Sequence, residues 1–160
     1  MLKNSLKLAL ISLALLLSAC GSLGEKPDET KGWSADKLYA EASDELKSGN
    51  YEKSIKYFEK LEGRAAGTPL AQQAQVEKAY AHYKAGEPAQ AIAALDRFMK
   101  LHPASPAYDY ALYLKGLVNF NDNLGIFSFL TRQDLSERDQ KAAKESFEAF
   151  KELVTRFPDS

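Results

Sequence analysis

One cysteine, two histidines and eight tyrosines are the side chains of this 160-residue chain best equipped to react or to recognise a ligand. Cys20 stands alone, so no disulfide can form within the chain. His82 and His102 have no acid or nucleophile at a spacing that would make a catalytic pair. No phosphate-binding glycine loop, metal-ligand spacing or nucleophile elbow occurs either. Asp134 and Glu137 read as acids at a helix start, where they complement the dipole. No enzyme activity, metal or non-covalent cofactor is therefore expected. What remains is recognition, since a tyrosine combines a broad apolar face with a hydroxyl, and a lysine can meet a carboxylate or a carbonyl.

The surroundings of Cys20 assign its chemistry. Lys3 and Lys7 form a positive start, and Leu8 to Leu17 supply about ten mostly apolar residues, half of the ~20 that a membrane span requires. Residues 1–19 are read as a signal peptide. The tetrapeptide Leu17-Ser18-Ala19-Cys20 resembles the cleavage box of bacterial lipoproteins, which implies S-diacylglycerol and N-palmitoyl groups on Cys20 as the covalent lipid. Two or three acyl chains hold a protein on a bilayer where one does so only marginally. Gly21 in the next position, instead of Asp, resembles lipoproteins sorted to the outer membrane. Residues 20–33 are polar, glycine-bearing and without periodicity, a tether that spans roughly 45 Å when extended. The signal peptide holds two of the 21 basic side chains and none of the 22 acidic ones, leaving 19 against 22. With that slight negative charge interleaved along the chain, nucleic acid is not an expected partner.

From residue 34 to residue 160 the chain repeats. A shift of 37 residues superposes Ala42 on Ala79 and Gly116, Leu46 on Tyr83 and Phe120, and Gly49 on Gly86. Ile55, Phe58 and Leu61 fall on Ile92, Leu95 and Phe98. They fall next on Phe147, Phe150 and Leu153 after a step of 55, which places 18 extra residues inside the third unit. The units are 34–68, 69–105 and 106–160, with the insertion at 121–138. Each has small residues where helices approach, a glycine turn, and Ala or Ser in its second helix, the spacing of tetratricopeptide repeats. The expected fold is all-α, a solenoid of antiparallel helix pairs whose first helices line a groove. Ser34 is read as the first cap, with Trp33 and Leu38 as a hydrophobic staple. Ser136 with Asp139 is read as the cap of the last helix, which is expected to run to Val154.

Groove-facing positions of the first helices are Tyr39, Ser43, Leu46 and Lys47, then Val76, Tyr80, Tyr83 and Lys84, then Tyr113, Leu117, Phe120 and Asn121. Leu46, Tyr83 and Phe120 share one repeat position and are expected in the core. The binding residues expected are Tyr39, Lys47, Tyr80, Lys84, Tyr110 and Tyr113. In the insertion, Leu124, Ile126, Phe127, Phe129 and Leu130 are expected to cover a repeat seam or to dock a partner.

The lipoprotein box, the tether and the repeats occur with Gln72-Gln73-Ala74-Gln75, Ala79-Tyr80-Ala81-His82-Tyr83-Lys84, Asp96-Arg97-Phe98, Asp109-Tyr110-Ala111-Leu112-Tyr113-Leu114-Lys115-Gly116-Leu117 and Ser136-Glu137-Arg138-Asp139. Together these closely resemble the BamD (ComL) family of lipoproteins. The resemblance implies a periplasmic scaffold, lipid-anchored to the outer membrane, in the β-barrel assembly (BAM) machinery. Its implied partners are BamA and other BAM subunits, and unfolded outer-membrane proteins known by an aromatic C-terminal signal. It also implies further repeats past Ser160. The alternative is another cell-envelope repeat lipoprotein, one that scaffolds peptidoglycan or division proteins. In one place the chain departs from the family, which has Arg, an aromatic and Pro at the end of the first unit, as in Arg156-Phe157-Pro158; here Ala65 and Ala66 follow Arg64, without the proline that ends a helix.

Replacing Cys20 by Ser is expected to leave an uncleaved precursor without lipid. Metabolic labelling with palmitate checks this, and label retained by the variant would refute the assignment of Cys20.

Overall fold

Ser34 starts the first helix through its side chain, whose Oγ accepts from the Lys37 amide at 3.1 Å. Trp33 stands before the cap and Leu38 is fully buried, and the two belong to one apolar cluster, so the staple forms at the helix entry. The computed structural model describes residues 28–122 and 135–160. The signal peptide, Cys20, most of the tether and most of the insertion with its apolar run lie outside the described residues. Residues from Trp33 onward form one compact unit.

Six helices follow in order: α1 (Ala35–Lys47), α2 (Tyr51–Arg64), α3 (Pro69–Lys84), α4 (Pro88–Leu101), α5 (Tyr108–Asp122) and α6 (Leu135–Arg156). The last begins one residue before Ser136, which therefore lies inside the helix and not at its cap. It also runs two residues beyond Val154. Each helix packs on its sequence neighbours, and the first helices α1, α3 and α5 touch in turn. The described residues thus form an all-α solenoid of helix pairs, as the repeat spacing predicts. No described helix is long and apolar enough to cross a membrane.

The turns within the first two pairs are built alike. Gly49 (φ 80°) and Gly86 (φ 77°) sit just past the ends of α1 and α3 in the left-handed region that favours glycine. Behind them the amides of Asn50 and Glu87 reach back to the carbonyls of Glu45 and His82, at 2.9 Å in both cases. Between α2 and α3, where the family's proline is missing, another device does the work. Gly67 adopts φ 81°, Thr68 Oγ1 accepts from the Ala71 amide at 3.2 Å, and Pro69 opens α3.

The interior is continuous across the repeats. Leu38, Ala42, Tyr57, Phe58, Leu61 and Ala74 form one cluster. Val76, Ala79, Ala91, Leu95, Phe98, Ala111, Leu114 and Val118 form the next, joining the second unit to the third. The crossing position holds Ala42 and Ala79, both fully buried, and Gly116, also buried. A Cβ on Gly116 would lie 2.7 Å from the Phe150 ring, so only glycine lets α5 and α6 approach this closely. At the same crossings two buried serines act as latches: Ser54 Oγ donates to the Ala42 carbonyl and Ser146 Oγ to that of Gly116, each at 2.8 Å. The second unit has Ala91, fully buried, in that place.

Two expectations are corrected. Phe120 is 59% exposed. Leu46 packs on the cluster that joins units one and two, and Tyr83 on the cluster that joins two and three, a cover that no described helix provides for Phe120. Val76 is buried and not in the groove. Its short branched side chain ends inside the cluster, while rings at the equivalent positions, Tyr39 and Tyr113, extend past it.

Gly116→Ala is expected to destabilise the fold by about 1–3 kcal/mol through overpacking against Phe150. Ser54→Ala is expected to cost about 1 kcal/mol, since it leaves a buried carbonyl without its second donor. Urea unfolding midpoints check both, and an unchanged midpoint in either variant would contradict the corresponding contact.

Candidate peptide-binding groove

α1 and α3 present their outer faces side by side because their inner faces are held at the Ala42 and Ala79 crossings. Between them lies a cleft of about 750 Å³, lined by Tyr39, Leu46, Lys47, Glu77, Tyr80 and Lys84 among others. Four of the six expected binding residues therefore share one cavity. Tyr110 and Tyr113 stand on the neighbouring helix α5, 42% and 45% exposed. Their rings stack with centroids 6.3 Å apart.

The tyrosines differ in how firmly they are held. Tyr39 is half-buried, its ring edge-on to Phe58 at 6.0 Å, and its hydroxyl accepts from Gln73 Nε2 at 2.6 Å. Tyr80 is half-buried against Tyr83, 6.4 Å between centroids. Tyr113 rests on Phe150 at 6.2 Å as well as on Tyr110, and is 45% exposed. The surface thus offers rigid aromatic faces, which bind large apolar groups at low entropic cost. Lys47 and Lys84 are exposed at the ends of α1 and α3. Lys47 pairs with Asp44 at 3.4 Å, an exposed pair of little energetic weight. Lys84 has no ion pair among the described residues.

Glu77 was not among the expected residues. It lines the cleft from α3, and burial pushes its carboxyl above the ordinary glutamate range. Burial, and then the Glu77 charge, raise the Tyr39 hydroxyl. The same two causes, with Tyr80 and Tyr113 after them, raise that of Tyr110. The carboxylate is thus electrostatically coupled to tyrosines of α1 and α5 as well as lying on α3. Its signal in the sequence was a mismatch: the 37-residue shift places it on Ala40 and Leu114.

The histidines serve the scaffold. His82 Nδ1 lies 2.7 Å from Glu87 Oε2 across the α3–α4 turn, so an acid does meet this ring, contrary to the reading of sequence spacing. His102 Nε2 contacts Gln75 Oε1 at 3.1 Å. No cluster of three His, Cys, Asp or Glu among the described residues could hold a metal. A second cleft, about 860 Å³, lies among α4, α5 and α6 and is lined by Asp96, Lys115, Lys141, Glu148 and Arg156 among others. Its charges are partly matched, Lys115 to Asp96 at 2.6 Å and Arg156 to Glu152. None of the expected binding residues lines it.

Among curated relatives, the chain is 50% identical over 153 residues to the outer membrane protein assembly factor BamD of Neisseria meningitidis serogroup B, an alignment covering 94% of this chain and 57% of that protein. It is 31% identical to BamD of Xylella fastidiosa over 94% of this chain and 51% of the relative. It is also 31% identical to BamD of Vibrio cholerae over 94% and 61%. The chain thus spans a little over half the length of the relatives it matches. A tetratricopeptide repeat family model matches residues 25–160. That match takes in all six helices, and with three helix pairs crossing at Ala42, Ala79 and Gly116 the chain belongs to the tetratricopeptide repeat family.

Proposed function

We propose that this chain is a scaffold of outer-membrane β-barrel assembly that binds unfolded outer-membrane proteins in the groove of its first helices. The supporting observation is the tyrosine-lined cleft between α1 and α3, continued by Tyr110 and Tyr113 on α5. An extended polypeptide with aromatic side chains fits such a surface, the rings lying on the tyrosines and a terminal carboxylate reaching Lys47 or Lys84. Similarity to assembly factors named BamD supports the same reading, in which BamA and the other BAM subunits are the partner proteins. Cys20, with S-diacylglycerol and N-palmitoyl groups, anchors the scaffold at the periplasmic face of the outer membrane, and the tether sets its distance from the lipid. The role is binding and not catalysis.

Tyr110 and Tyr113 are the least buried of the four expected binding tyrosines and so the cleanest probes. Changing both to Ala is expected to weaken binding of a porin-derived C-terminal peptide at least tenfold, at ~1–2 kcal/mol or more per aromatic anchor. Fluorescence anisotropy measures the loss, and a melting temperature close to that of the parent shows that the fold survives. Normal binding by the double variant would remove these rings from the site.

A further inference from the structure

Glu77 is an acid in a repeat position that its neighbours fill otherwise. Leu114 at that position is 1% exposed in the core, and Ala40 lines the cleft that Glu77 itself lines. Glu77 is half-buried, and burial alone raises its carboxyl, with no compensating cation. It forms no ion pair among the described residues. Around the cleft stand Tyr39, Ser43, Asp44 and Lys47 from α1, Tyr80 and Lys84 from α3, and Tyr110 from α5, which is coupled to the same carboxylate. Lys47 has Asp44 as its partner. Lys84 stands two helical turns along α3, ~10 Å of rise from Glu77. A desolvated carboxylate without a cation is unfavourable to the fold. Helix α3 gains nothing from it that Ala or Leu would not supply.

We propose that Glu77 is a specificity-determining residue of the groove, which takes the ammonium or guanidinium of a Lys or Arg in an extended client segment. This rests on the groove being the client site. A cation arriving there gains a carboxylate in a partly dry cleft and the faces of tyrosines beside it. A client acid in the same place meets a like charge. With a client's terminal carboxylate at Lys84, the ~10 Å to Glu77 corresponds to about three residues of extended chain at ~3.3 Å each. The groove therefore reads a basic residue about three places before an aromatic C-terminus.

The test uses the full chain and fluorescein-labelled porin-derived C-terminal peptides in which one Lys is moved through the last six residues, with matched Gln and Glu peptides. Wild type is expected to bind the Lys peptide about tenfold more tightly than the Gln peptide, with the preference greatest about three places before the C-terminal residue. Glu77→Gln is expected to abolish the preference, the Lys and Gln peptides then binding equally, and Glu77→Lys to favour the Glu peptide. The Gln variant should unfold at the same or a higher urea concentration than wild type, which separates lost recognition from lost structure. Equal affinity of wild type for Lys and Gln peptides, or a preference that survives Glu77→Gln, overturns the assignment. The groove reading stands in that case if both peptides bind and Tyr110→Ala with Tyr113→Ala weakens both. Failure of every peptide to bind wild type defeats the groove reading, and this assignment with it.

Discussion

The close approach of the two helices of each pair at one small residue is the constraint from which the remaining architecture follows. At Ala42 and Ala79 a methyl group fills the crossing, and at Gly116 there is room for none. Larger side chains here would push the second helix outward and carry with it Phe58 or Leu95, which lie in the clusters shared with the next pair, or Phe150, which packs on Gly116 and Tyr113. Because interiors are packed as densely as organic crystals, such a shift cannot be absorbed locally. The spacing between α1 and α3, and hence the width of the cleft, is set by contacts on the side of the helices away from the cleft.

A groove made in this way presents side chains on a stiff frame. Tyr39 and Tyr80 are each held by a ring neighbour and Tyr113 by two, and all three keep part of their surface open, so a ligand meets them already in place. Preorganisation of this sort lowers the entropic cost of binding a chain that is itself unfolded. Charge is distributed differently from the rings. The cations stand at helix ends in water, and the acid Glu77 stands midway along α3 where water is partly excluded, so the acid is the group whose state most affects its surroundings.

Much of this was legible from spacing. The 37-residue shift located the crossing residues, the two glycine turns and the paired second-helix positions, because those are backbone requirements and each admits few residue types. Side-chain reach was less legible. Val76 occupies the groove position of Tyr39 yet is buried, since a repeat position specifies where a Cα lies and not how far its side chain extends. Phe120 shares the position of Leu46 and Tyr83 yet is exposed, since burial there is conferred by a neighbouring unit and not by the unit itself. Glu77 is not legible from spacing, because periodicity marks the residues that fit it and Glu77 breaks it. Gly67 shows the opposite compensation: the proline stop was missing, and a left-handed glycine with a Thr68 cap closed the turn by another route.

The serine latches have a mechanical corollary. In the first and third hairpins a directional bond, from Ser54 or Ser146 to the facing carbonyl, fixes the axial slide of one helix against the other. In the middle hairpin Ala91 makes only contact at the crossing, and directional bonds stand instead at the two ends of the pair, His82 with Glu87 at the turn and Gln75 with His102 at the far end. The middle pair, which carries Tyr80 and Glu77, is thus pinned at its ends and without a directional bond at its crossing. A slight bowing of α3 against α4 between those pinned ends therefore disturbs contact alone at Ala91, whereas the same bowing in the flanking pairs breaks a hydrogen bond.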